Sequence, residues 1–290
     1  MTIAKISDYP MPDQSRLPQN KTNWQLDPDR AVLLIHDMQR YFLNFYDADS
    51  RLIATMTQNL EQLRQWADQH GVPVVYTAQP YEQPAEDRAL LNAMWGAGLP
   101  ASTPDQQAII SPLTPKDGDV VLTKWRYSAF QRSDLQKRMQ NWQRDQLIIG
   151  GVYAHIGCMV TAIDAFMNDI QAFFVADALA DFSEQEHLDA LKYVSSRCGQ
   201  VTHTQAIVAS TMLELTEQWL YEKVQKLVEE EELDPAENLI LYGLDSLRIM
   251  QFSAELKQYG LEIYFEELGQ EPSIEHWWNL IQSKQAAKVA

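Results

Sequence analysis

The sequence predicts an α/β protein, a doubly wound parallel sheet followed by a small all-α bundle. Three observations lead there. Short apolar runs alternate with amphipathic helical spacing over the first 210 residues, the last 80 show helical spacing alone, and charge is divided unevenly between the two stretches. Of a formal net charge of −17 over 290 residues, −10 falls on residues 211–290 and −7 on the rest. That shift sets a boundary near residue 210 and two domains, 1–210 and 211–290. A chain of this length has room for two cores.

Taken in order, Ala31–Ile35 is an apolar run that ends in His36-Asp37 and reads as a buried strand. Arg51–His70 carries Leu52, Met56, Leu60, Leu63 and Trp66 at helical spacing and stops at Gly71, a C-cap position. Val72–Ala78, Asp119–Thr123, Gln146–Ile149 and Ala172–Ala176 are strand-like. Ser133–Trp142 begins with an N-cap serine, Cys158–Ile170 is helical, and Ser183–Arg197 opens with the capping-box pair Ser183 and Glu186. Strands alternating with helices predict a parallel sheet covered on both faces, with its chemistry at the carboxyl ends of the strands.

Beyond the boundary, helices are expected at Leu213–Glu231, Ser246–Tyr259 (closed by Gly260) and Ile274–Gln285, with a turn around Phe265–Leu268. No Pro- or Gly-rich linker marks the junction; Ala206–Thr216 reads as helical and stiff.

Composition excludes several classes. Binding to phosphate backbones or anionic membranes needs clustered Lys and Arg, which a chain with 23 basic against 40 acidic residues lacks. Two cysteines, Cys158 and Cys198, cannot build a disulfide framework or a Cys-rich zinc site, and read as small buried hydrophobes. Met1–Arg16 has no apolar signal region, and no apolar run reaches the roughly 20 residues of a membrane span. The expectation is a soluble cytoplasmic protein. Gly150-Gly151 lacks the spacing of a phosphate loop.

In the acidic stretch, Leu239-Ile240-Leu241-Tyr242-Gly243-Leu244 leads to Asp245-Ser246 at a helix start. Asp-Ser there has an ordinary use as an N-cap. Gly-Leu-Asp-Ser-Leu after an apolar loop, inside an acidic helical unit, resembles the carrier-protein family. The resemblance implies a 4′-phosphopantetheine arm on Ser246, whose phosphodiester the helix N-terminus would favour. It also implies Asp245 helping to hold a divalent metal such as Mg2+ during the transfer step. Ile249, Met250 and Phe252 are expected in the core, with Leu247 and Met250 the alternatives for a docking face.

In the α/β half, Asp37, Lys124 and Gly157 each follow a strand-like run. Each has a dull explanation: a cap, a solvated lysine, a turn. Together they would converge on one crevice. The set resembles the isochorismatase-like, or cysteine-hydrolase, superfamily, whose amidases place an Asp, a Lys and a nucleophilic Cys at these positions. Here Gly157 stands at the cysteine position, and Cys158 is one residue late, turned by about 100° on a helix.

Isochorismatases within the superfamily also lack the cysteine. Hydrolysing an enolpyruvyl ether needs a proton on carbon rather than a protein nucleophile. The resemblance makes Asp37 the general acid, Lys124 the partner of a substrate carboxylate, and Gly157 a gap that leaves room for the enolpyruvyl group. A lysine beside the acid favours the ionised carboxylate; two substrate carboxylates and exclusion of water favour the protonated form. Gln79 and Arg88 match polar contacts of the isochorismate pocket, and Phe42, Trp95, Tyr127 and Tyr153 its walls. His155 lies near but reads as structural. The second strand lacks the Asp-x-His metal site of nicotinamidases.

Joined, the two halves resemble the family of bifunctional isochorismatase/aryl carrier proteins of catechol siderophore synthesis in enterobactin-like and related pathways. This implies isochorismate as substrate, no cofactor for hydrolysis, and carriage of 2,3-dihydroxybenzoate. The implied partners are a phosphopantetheinyl transferase, a 2,3-dihydroxybenzoate-AMP ligase and a condensation domain of a nonribosomal peptide synthetase, with a homo-oligomeric α/β half. Two alternatives stand beside it: an amidohydrolase using Cys158, and a non-catalytic scaffold fused to a carrier. The acidity of residues 211–290 reads as a docking surface for basic partners.

Overall fold

Ala31–His36 is buried at every position, because a strand inside a covered parallel sheet has no solvent face. It is β1 in the computed structural model of the chain, which describes residues 3–99, 103–210, 216–228, 230, 232–258 and 261–289. The other strands are β2 (Val74–Ala78), β3 (Val120–Thr123), β4 (Gln146–Val152), β5 (Gln171–Ala180) and β6 (Gly199–Thr202). All pair in parallel, in the order β3-β2-β1-β4-β5-β6.

The helices of this half are α1 (Arg40–Leu43), α2 (Arg51–Gln69), α3 (Ala85–Arg88), α4 (Leu91–Trp95), α5 (Leu135–Asn141), α6 (Met159–Met167), α7 (Glu184–Arg197) and α8 (Thr204–Ser210). The acidic part adds α9 (Glu217–Val228), α10 (Ser246–Gln258), α11 (Phe265–Gln270) and α12 (Ile274–Val289). The chain divides into two compact units, Met1–Ala209 and Ser210–Ala290.

Strand periodicity builds two apolar layers from one sheet. Leu33 and Ile35 join the α2 side with Leu52, Met56, Leu60, Leu63 and Trp66; Val32 and Leu34 join the other side with Ala162, Leu191 and Val194. The strand order reverses at β1, where the chain first builds outward to β2 and β3 and then returns to place β4 on the other side. That reversal opens a crevice at the carboxyl ends of β1 and β4.

Several expectations need correcting. β6 was not foreseen, since Gly199-Gln200-Val201-Thr202 has only one large apolar residue and its burial comes from pairing with β5. β5 runs to Ala180, twice the expected length, because it continues past an irregularity in its pairing with β4. The helix expected from Cys158 begins as a wider turn over Ala154–Cys158, and α6 ends at Met167. α5 starts at Leu135 rather than at Ser133, whose Oγ donates to the Ala129 carbonyl. Of the expected capping box, the serine half forms: Ser183 Oγ accepts from the Glu186 amide, while the Glu186 carboxylate accepts from the Ser183 hydroxyl.

In the helical unit, Leu220, Val224, Leu239, Ile249, Phe252, Leu256, Trp277 and Ile281 make one core. Phe252 and Trp277 stack with centroids 5.0 Å apart, and Trp277 Nε1 donates to the Leu268 carbonyl. Met250 is exposed, contrary to the core expectation, because positions 249, 252 and 256 define the inward stripe and 250 lies about 100° away. The expected helix positions at 213–215, 229, 231, 259 and 260, and the middle of the junction read as stiff, lie outside the described residues.

His187 ties the first unit together: Nε2 lies 3.1 Å from the Ala176 carbonyl, and Nδ1 3.0 Å from Tyr9 Oη. Burial pushes its pKa down to about 4, so the folded ring is neutral. An unfolded chain takes up that proton below its ordinary value of 6.5. Stability from this site is therefore present above about pH 6.5 and lost as pH falls toward 4, by on the order of 3 kcal/mol. Urea unfolding of His187→Gln should show a flatter decline over that window than the parent chain; an identical slope would contradict the assignment.

Candidate active site

Asp37 leaves β1 with φ 51, a left-handed backbone unusual for a non-glycine residue. Its neighbours hold it there. Thr77, one register step away on β2, accepts the Asp37 amide at 3.0 Å through Oγ1 and donates that hydroxyl to Asp37 Oδ1 at 2.6 Å. Lys124, just after β3, donates from Nζ to Asp37 Oδ2 at 2.8 Å. Both side chains of this ion pair are nearly buried, at 4% and 6% exposure. Three strand ends thus meet on one carboxylate.

The cavity at this point is lined by every residue expected for hydrolysis and substrate binding: Asp37, Phe42, Gln79, Arg88, Trp95, Lys124, Tyr127, Tyr153 and Gly157. His36, Arg126 and Phe182 line it too, and sequence reasoning had not singled them out. The walls are cross-braced: Trp95 Nε1 donates to Tyr127 Oη at 2.7 Å, and Tyr153 Oη to the Phe42 carbonyl at 2.9 Å. Tyr153 packs on Phe182 with centroids 4.5 Å apart.

Arg88 is nearly buried and, among the described residues, has no carboxylate partner. It donates from Nε to the Gly96 carbonyl and from Nη1 to Gln83 Oε1, with a longer contact of 3.3 Å to Gln79 Oε1. Burial pulls its pKa down, as expected for a cation held among neutral acceptors. Gln39 was also missed. Its amide donates to the carbonyls of Gln79 and Gln107 and accepts the Gln79 amide, fixing the loop that presents Gln79. Thr77 and Gln39 escape a sequence reading because each acts through one partner across the sheet.

Gly157 lines the cavity, and it also has a close neighbour from a distant part of the chain. A Cβ there would lie 2.3 Å from Cε1 of the buried His36 ring, so the glycine makes room for histidine. Gly151, at φ +122, likewise lets β4 approach the His36 backbone, where a Cβ would fall 2.1 Å from the carbonyl oxygen.

Cys158 is fully buried in the second core layer and does not line the cavity; burial pushes its thiol well above the ordinary value. That removes the candidate for a cysteine nucleophile. His155 sits behind Phe182, with its amide and Nδ1 both on the buried Asp181 carboxylate. Burial opposes charge on this ring, but the Asp181 hydrogen bond and charge prevail and raise its pKa.

In the second unit, Ser246 is exposed at the first residue of α10. Asp245 Oδ1 accepts the Arg248 amide at 2.8 Å, a cap of that helix. Among the described residues no three His, Cys, Asp or Glu side chains cluster to hold a metal ion, so Asp245 offers one carboxylate rather than a resident site.

Thr77→Val keeps the shape but leaves the buried Asp37 amide without its acceptor. The expected cost is about 1–3 kcal/mol, measured by denaturant unfolding. A variant as stable as the parent would contradict the clamp.

Residues 31–206 match the model of the isochorismatase domain, and residues 218–281 that of the phosphopantetheine attachment site. Enterobactin synthase component B of Escherichia coli (strain K12) is 48% identical over 282 residues, covering 97% of this chain and 98% of its own. The isochorismatase of Bacillus subtilis (strain 168) is 44% identical over 302 aligned residues, covering 98% of this chain and 96% of its own. Among solved structures, a cysteine hydrolase from Pseudomonas syringae pv. phaseolicola 1448A shares the fold, with TM-score 0.60 and 22% identity over 66% of this chain and 96% of that one. No helix among the described residues is long and apolar enough to cross a membrane. With a six-stranded parallel sheet, a cavity at its switch point and a carrier-type helical unit, this chain belongs to the isochorismatase family, as a member joined to a phosphopantetheine attachment domain.

Proposed function

We propose that the α/β unit hydrolyses the enolpyruvyl ether of isochorismate to 2,3-dihydro-2,3-dihydroxybenzoate and pyruvate. The observation that carries this reading is the charge of the cavity. Its lining holds Lys124, Arg88 and Arg126 against Asp37 alone, a formal +2 in a chain of net −17. Such a site favours a dianion, and isochorismate carries two carboxylates. No thiol lines the cavity, which suits chemistry that begins with a proton on carbon.

In this reading Asp37 holds a proton once substrate is bound and gives it to the terminal methylene carbon. The C=C electron pair forms the new C–H bond and leaves an oxocarbenium ion. Water adds to that carbon and loses one proton to the Asp37 carboxylate. The resulting hemiketal breaks its bond to the ring oxygen, which takes the hydroxyl proton, and pyruvate departs. One water is consumed and Asp37 ends as it began. Lys124 and Arg88 would pair with the carboxylates, Gln79 and Arg126 would fix their orientation, and Phe42, Trp95, Tyr127 and Tyr153 would enclose the ring. Gly157 acts by admitting His36. No cofactor takes part in these steps.

The helical unit would carry 2,3-dihydroxybenzoate as a thioester on a phosphopantetheine arm at Ser246. A phosphopantetheinyl transferase would install the arm, with Mg2+ brought by coenzyme A and the transferase and Asp245 lending at most one oxygen. A 2,3-dihydroxybenzoate-AMP ligase would load it and a condensation domain of a nonribosomal peptide synthetase would unload it, in the cytoplasm. The homo-oligomeric state implied by the family belongs to the same proposal.

Full-length chain mixed with isochorismate should release pyruvate, detected by a coupled dehydrogenase. Asp37→Asn should lower kcat by about 10²–10⁴-fold, the range for loss of a general acid; activity within about tenfold of the parent would exclude the role. For the carrier, Ser246→Ala should abolish the mass increment seen after incubation with a phosphopantetheinyl transferase and coenzyme A, while pyruvate release persists. Modification of the alanine variant would place the arm elsewhere.

A further inference from the structure

Residues near a chain terminus are loosely held unless something ties them down. Ile3–Tyr9 forms neither helix nor strand, yet it is fastened to the α/β unit along its length. The Ile6 amide donates to the Phe45 carbonyl at 2.8 Å, and the Ile6 side chain is 3% exposed in the core layer of α2. Asp8 accepts from the Ser50 hydroxyl and, at 2.8 Å, from the Arg51 amide. The exposed pair between Lys5 and Asp47 at 2.6 Å adds little by itself; the buried Ile6 and the backbone bonds do the holding.

Tyr9 fastens the other end of this strap to the end of β5. Its Oη accepts the Asp181 amide at 2.7 Å and donates to His187 Nδ1 at 3.0 Å. His187 Nε2 faces the Ala176 carbonyl, which only accepts, so Nε2 carries the proton and Nδ1 is left to accept. Burial keeps the His187 ring neutral and pushes the Tyr9 hydroxyl pKa up, so the chain of donors runs in one direction. The residue after Asp181 is Phe182, a cavity wall packed on Tyr153.

Held in this way, the strap brings Ile3 to the cavity. Ile3 is half-buried, packs against the same core layer as Ile6, and lines the cavity with Phe42, Leu91 and Trp95. It takes no part in the steps above and lies outside the sheet and its covering helices. We propose that Ile3 is a substrate-enclosing residue, whose side chain the strap lays against bound isochorismate. This rests on the hydrolysis proposed above. An apolar cover that excludes water strengthens the attraction of Lys124 and Arg88 for the substrate carboxylates, and it favours the protonated form of Asp37.

The test places charges at position 3 of the full-length chain, leaving the anchors at Ile6, Asp8 and Tyr9 intact. Ile3→Asp sets a negative charge beside a dianion and should raise the KM for isochorismate by about tenfold, whereas Ile3→Lys should stay within about threefold of the parent. Both variants lose the same packing, so a split by sign reports the substrate's charge. Independently, Ile3→Cys combined with Asp37→Asn, which slows turnover, offers a thiol to iodoacetamide while Cys158 and Cys198 are buried. Saturating isochorismate should slow its alkylation by about fivefold or more. Equal KM values for the Asp and Lys variants, or alkylation indifferent to isochorismate, would overturn the inference. A parent chain that releases no pyruvate, with the new thiol still protected, would sink the hydrolysis reading and leave the enclosure standing; with no protection either, both fall.

Discussion

The contact between Lys124 and Asp37 is the constraint on which the rest of the α/β unit's chemistry depends. Removing both charges from water is costly, and a 2.8 Å pair offsets that cost only when its geometry is held from all sides. Here the holding is done by the sheet. β1 supplies Asp37, β2 supplies the Thr77 hydroxyl, and the end of β3 supplies Lys124, whose amide is itself bonded to the Ala78 carbonyl. A slip of one residue in any of these registers would turn the side chain to the other face. The apolar layers that lock the register are therefore as much a part of the site as the charges.

Around that pair the cavity is more positive than its surroundings, whereas the chain is strongly acidic. The two facts fit because they concern different places. Lys124, Arg88 and Arg126 face one enclosed volume, where low polarity strengthens each attraction. The acidic excess falls mostly on residues 211–290, and the exposed part of α10 presents Ser246, Leu247 and Met250. A net charge read over the whole chain averages a cationic pocket with an anionic helical unit and describes neither.

Much of the site was legible because strand ends carry their own signals. Asp37 follows an apolar run closed by His36, Lys124 follows Val-Val-Leu-Thr, and Gln79 follows Tyr-Thr-Ala, so a parallel sheet alone would gather them at one edge. The aromatic wall residues were legible only through family resemblance, since single aromatics at those positions are equally at home in a core. Thr77, Gln39 and His36 were not legible. Each is an ordinary strand or turn residue until its partner across the sheet is known. β6 escaped for a related reason: a four-residue edge strand with one large apolar side chain has no pattern apart from its neighbour.

By itself, the sequence determined the α/β class, the helical acidic unit with its Asp-Ser helix start, and the convergence of an acid and a lysine without a cysteine between them. These follow from periodicity, local caps and residue identity, all encoded over a few consecutive positions. Only the tertiary structure decided which neighbour the missing side chain of Gly157 admits. Its missing side chain is filled by His36, 121 positions earlier, because β1 and β4 pair side by side and the turn after β4 folds back over the end of β1. Close packing between distant segments is a property of the assembled sheet, and no local stretch of chain encodes it.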